Sequence, residues 1–225
     1  AKWFWQTRNI SGQTLMIFFF PIRKTLTWAL ALAGLWAAPL SAQETATTFV
    51  SLSEINRALQ NISPQSGSFE QSQPNGTSVR GTYHMNWPDR LRFAYQGAGD
   101  SGSIVTVKGK FVAVQENPGA EPNWFPVSLT PLAVLRQAVR EGISPAMVQK
   151  RVDNERVIAL TLQDPTGELP GEVTLYFARP GLNLYAWRLV DVQNLVTQVR
   201  LTEIIPTDKI DERVFIIEYD EPDED

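Results

Sequence analysis

The chain has no cysteine and only one histidine among its 225 residues. Without cysteine there can be no disulfide, no thiolate metal site and no thiol nucleophile. These residues also offer no attachment point for a bacterial lipid anchor, which requires a cysteine. With His84 alone, no zinc site of the usual kind and no convincing Ser-His-Asp set can be assembled. An apolar run long enough for a spanning helix, about 20 residues, is also missing. The nearest approach is Leu26 to Leu40. Excess positive charge is lacking too: 20 basic residues face 24 acidic ones. Binding to nucleic acid or to an anionic membrane surface, both of which need a basic footprint, is therefore not expected.

What is present begins with a targeting pattern. Pro21-Ile22-Arg23-Lys24 is basic, Leu26 to Leu40 is apolar, and Ser41-Ala42 supplies small residues at a junction. These are the parts of a secretory signal, so residues 1–42 are expected to be cleaved, with Met16 as a candidate start. That segment carries four of the basic residues and none of the acidic ones. The remainder holds sixteen against twenty-four, a net of −8. Residues 218–225 read as an acidic, solvated tail.

From Thr48 to Ile62, the residues Phe49, Leu52, Ile55, Leu59 and Ile62 recur at helical spacing, with Ser51 or Ser53 as cap. From Gly67 the period changes to two. Ser68–Gln71, Val79–Asn86, Leu91–Tyr95, Ile104–Val107 and Phe111–Gln115 read as strands separated by short turns. Glu116 to Thr130 reads as a Pro-rich loop carrying Trp124 and Phe125. Thr130 then caps a second helix whose apolar face includes Leu132, Leu135 and Val139. Five further strands lie between Val148 and Ile204, and a last short one is expected at Asp211–Ile217. The fold class that follows is α+β: an open, strongly curled antiparallel half-barrel of about ten strands, with helices over its concave face.

The most informative stretch is Gly81 to Tyr95. Alternation puts Tyr83, Met85 and Trp87 on one face and, after Pro88, Leu91, Phe93 and Tyr95 on the same side. Arg90 and Arg92 point the other way, and His84 is expected to face outward. Gly97 to Gly102 spells G-x-G-x-x-G but leads into a strand, so no helix is there to cradle a phosphate. Asp153, Glu155, Asp208 and Asp211 form no recognisable acid–base pair.

Phe69-Glu70-Gln71, Gly81, Tyr83, Met85, Pro88, the strand Leu91–Tyr95, the hairpin Ile104–Lys110, Thr130-Pro131-Leu132, Tyr185–Asp191 and Asp211–Ile217 occur in order. In that order they resemble the LolA family of outer-membrane lipoprotein carriers, over residues 43–217. Two positions depart from the family pattern. Trp87 stands where an arginine commonly ties down the lid, and Lys108 replaces a hairpin aspartate. The lid would then be held by packing, or by Arg80, Arg90 or Arg92.

The resemblance implies a periplasmic, monomeric carrier of lipoprotein acyl chains, without cofactor, metal or enzymatic activity. Its partners would be the lipoprotein cargo, an inner-membrane lipoprotein-releasing ABC transporter and an outer-membrane lipoprotein receptor. The acyl-chain cavity would be lined by Tyr83, Met85, Trp87, Leu91, Phe93, Tyr95, Val105, Val107, Leu132, Leu135 and Val139. The alternatives are a lipid-binding or envelope-stress sensor module of the same fold, the lipid-anchored receptor of that fold, and a soluble hydrolase. The missing cysteine counts against the receptor. The missing nucleophile–base pair counts against the hydrolase.

Overall fold

A computed structural model describes residues 49–73, 75–96 and 102–219. All belong to one compact unit, Thr45–Asp225. The expected signal segment, most of the loop 97–102 and the acidic tail beyond Tyr219 lie outside the described residues.

Among the described residues, eleven strands form one antiparallel sheet. In chain order they are β1 Gln65–Ser72, β2 Ser78–Asn86, β3 Arg90–Gln96, β4 Ile104–Lys108, β5 Phe111–Gln115 and β6 Asn123–Pro126. There follow β7 Val148–Asp153, β8 Val157–Leu162, β9 Glu172–Ala178, β10 Asn183–Val190 and β11 Val196–Pro206. Among the described residues there are two α-helices, α1 Leu52–Gln60 and α2 Leu132–Glu141. The spatial order is β6-β5-β4-β3-β2-β1-β11-β10-β9-β8-β7. Two meanders therefore meet where β1 pairs with β11, and β6 and β7 are left as free edges. The chain crosses between those edges through α2.

Register explains which side is the inside. Tyr83 lies opposite Phe93, Phe93 opposite Val105, and Val105 opposite Val114. Across the central seam, Gln71 lies opposite Val199 and Val199 opposite Trp187. Residues opposite one another in an antiparallel pair share a face, so these rows make one apolar surface. The other face carries His84, Arg92 and Thr106. His84 is on the outer face, as expected, and burial followed by the Arg92 charge lowers its pKa.

The sheet bends around that apolar surface. Phe93 and Trp187 sit four strand spacings apart, about 19 Å if flat. Their rings nevertheless meet with centroids 6.2 Å apart. The half-barrel is thus open at both edges and concave on the side where Ile55 and Leu59 of α1 and Val134, Leu135 and Ala138 of α2 enter the core. Gly81 permits close packing there. A Cβ at that position would lie 2.7 Å from the Phe69 ring and 2.1 Å from the Ala94 carbonyl. Phe69 uses the space to meet Phe93 and Tyr95 edge-on, at 5.0 and 5.2 Å.

The elements differ from expectation at four places. Helix α1 is shorter than 48–62, because Ser51 and Glu54 form a reciprocal capping box that fixes its start and Asn61 ends it. Thr130 does not cap α2 through its side chain. Its hydroxyl donates to the Val127 carbonyl at 2.8 Å, closing the preceding 3-10 turn. The Pro-rich segment contains β6, a strand that tolerates Pro126 because it lies at an edge. Asp211–Ile217 is a 3-10 turn over Glu212–Phe215 instead of a strand, because the Asp211 side chain accepts the Arg213 amide at 2.9 Å.

Candidate functional site

Beneath α2 the concave face leaves a cavity of about 100 Å³. Seven of the eleven expected residues line it: Leu91, Phe93 and Tyr95 of β3, Val105 and Val107 of β4, and Leu132 and Leu135 of α2. The other four do not. Tyr83 and Met85 are sealed in the core at zero exposure, and Val139 is buried with them. The Tyr83 hydroxyl donates to the Glu203 carbonyl at 3.3 Å, and burial, helped by the Glu203 charge, pushes its pKa well up. Trp87 packs half-buried against Trp187, with ring centroids 6.3 Å apart.

Five lining residues were not anticipated: Gln71, Trp187, Leu189, Thr197 and Val199. Trp187 and Leu189 alternate visibly in the sequence. What sequence pattern does not carry is the β1–β11 pairing that brings the late strands beside the early ones. The cavity walls are apolar apart from Gln71 and Thr197. Gln71 is engaged, since the Tyr95 hydroxyl donates to its Oε1 at 2.7 Å. Among the described residues, no group of three or more His, Cys, Asp or Glu is placed to hold a metal ion.

Helix α2 forms one wall of the cavity, and its fastening is specific. Asp89, in the turn between β2 and β3, receives Arg136 at 2.9 Å and Arg140 at 2.6 Å on the same carboxylate oxygen. These two arginines are one helical turn apart on α2, which is the spacing that lets both reach one acceptor. Burial alone would raise the Asp89 pKa, but the hydrogen bond and charge of Arg140, then those of Arg136, outweigh it and hold the carboxyl low.

The cations are therefore on the helix and the acceptor in the β2–β3 turn, the reverse of an arginine tether from the strand side. Arg80, Arg90 and Arg92 take no part. Arg80 faces Glu70, Arg90 pairs with Glu212, and Arg92 donates to Thr106 at 3.4 Å. Their strand parity sends all three to the convex side, away from α2. Trp87 supplies packing only. Its buried Nε1 has no hydrogen-bond partner among the described residues.

A second clasp joins the two helices. The Asn56 amide of α1 donates to the Ile143 carbonyl at 3.0 Å and accepts the Ile143 amide at 2.7 Å, just past the end of α2.

No protein-family model matches the chain, and no curated protein does. Several solved structures resemble it in fold. It is similar to a LolA superfamily protein from Nitrosomonas europaea, at 12% identity and TM-score 0.40, covering 75% of this chain and 98% of that one. It is similar to a putative outer membrane lipoprotein-sorting protein domain from Vibrio parahaemolyticus, at 8% identity and TM-score 0.44, covering 73% and 94%. It is also similar to the Mycobacterium tuberculosis lipoprotein LppX, at 13% identity and TM-score 0.38, covering 71% and 97%.

Proposed function

We propose that the protein is a non-enzymatic carrier that shelters the acyl chains of lipoproteins between two membranes of a cell envelope. The observation that carries this reading is the apolar cavity beneath a helix fastened at its exposed side by ion pairs. At about 100 Å³ it is smaller than the roughly 150 Å³ cavity that accommodates benzene in an engineered protein. A whole acyl chain does not fit until α2 moves outward, so the form described is the closed one.

The energies are compatible with such movement. Transferring an acyl chain from water contributes about 0.8 kcal/mol per CH₂, on the order of 10 kcal/mol for a full chain. Lifting α2 exposes Leu135, Val134 and their neighbours, at about 1.5–3 kcal/mol for each large side chain. The two terms are of similar size. Cargo can therefore open the lid, and the lid's own burial favours release to a receptor. In this reading the protein works in the periplasm, takes cargo from an inner-membrane lipoprotein-releasing ABC transporter and delivers it to an outer-membrane receptor.

The test is purification of the protein from envelope extracts, followed by native mass spectrometry of what accompanies it. Acylated lipoproteins at about one per carrier are expected. Protein that emerges free of acyl chains and takes up none when they are supplied refutes the proposal.

A further inference from the structure

One end of the sheet presents a surface that cavity binding does not use. Lys108 lies opposite Phe111, Phe111 opposite Pro126, and Ala113 opposite Trp124. Lys108, Phe111 and Trp124 therefore share the convex face at the β6 edge. The two rings meet at right angles with centroids 6.2 Å apart, yet Phe111 is 48% and Trp124 50% exposed. Leu129, just beyond β6, is 72% exposed. Lys110 is exposed in the same β4–β5 turn, whose Gly109 amide donates to the Asp89 carbonyl at 3.1 Å. That bond holds the turn against Asp89, the partner of Arg136 and Arg140, and Lys110 lines one groove with Arg136, Arg140 and Glu141. Lys108, Lys110, Arg136, Arg140 and Arg90, which lies opposite Lys108, outnumber Asp89, Glu141 and Glu212, a local excess of positive charge in a chain whose net charge is −4.

We propose that this corner docks the protein on a bilayer surface containing anionic phospholipid. Aromatic and aliphatic side chains enter the headgroup boundary while the cations attract the lipid phosphates. Charge complementarity selects this occupant. Pairing of β6 with a second copy is disfavoured, because the edge is four residues long, includes Pro126 and follows Pro122. The inference does not depend on acyl-chain binding, and either can fail alone.

The test is hydrogen exchange of the full chain, read peptide by peptide, in solution and on vesicles of phosphatidylcholine with or without phosphatidylglycerol. Peptide resolution separates this corner from anything the apolar segment before residue 49 does at a membrane. Exchange across residues 108–129 is expected to slow several-fold on the anionic vesicles only. The slowing should disappear at high salt and in the F111S/W124S variant, while residues 157–162 are unchanged. Equal exchange with and without vesicles, or equal slowing on neutral vesicles, overturns the proposal. So does slowing that follows protein concentration without lipid, which would indicate a second copy.

Discussion

Asp89 is the residue that fastens α2 to the β2–β3 turn. It is 40% exposed, so its two arginine contacts contribute about 0–1 kcal/mol each to global stability. Their importance is local, because they fasten one wall of the cavity. Asp89→Asn is expected to leave the thermal midpoint nearly unchanged and to lower the amide protection of residues 132–141 several-fold. Hydrogen exchange checks this.

The pH dependence has a definite sign. The folded carboxyl is depressed, so its contribution is complete above the unfolded value of about 3.9 and is lost as pH falls through the folded value. Protection of α2 in the parent protein should therefore drop below about pH 4, whereas Asp89→Asn shows no such step. Gly81 is the second sensitive residue. Gly81→Ala forces Phe69 off Phe93 and Tyr95 and presses on the Ala94 backbone, and is expected to cost about 1–3 kcal/mol in urea unfolding.

At the scale of elements, the sequence showed most of the strands and the inward face of β2 and β3, because period-two alternation is a local signal. It showed α1 and α2 for the same reason, with helical spacing. It hid β6, since prolines mask an edge strand, and it suggested a strand at Asp211–Ile217 where an aspartate captures the backbone instead. Tyr83 and Met85 illustrate a further limit: alternation identifies the concave face but does not distinguish cavity wall from filled core.

The clasp between helices was also invisible, because Asn56 and Ile143 are far apart in sequence. Asn56→Ala leaves the Ile143 amide and carbonyl without these partners. We expect a loss of about 1–3 kcal/mol and looser exchange at the end of α2, measurable by urea unfolding and amide exchange.

For the whole molecule, the consequence of the topology is that α2 joins the two free edges and also roofs the hollow between the two meanders. A sheet closed edge to edge would have no such roof to lift. The resting cavity is too small for its proposed cargo, so acyl-chain binding and displacement of α2 are one claim. The measurement that tests it most directly is a crystal structure of the protein saturated with a palmitoylated peptide. The account predicts the chain running between Phe93, Trp187 and Leu135, with Arg136 and Arg140 drawn away from Asp89. A chain lying outside the sheet, or α2 still fastened to Asp89 with the hollow unchanged, would contradict it.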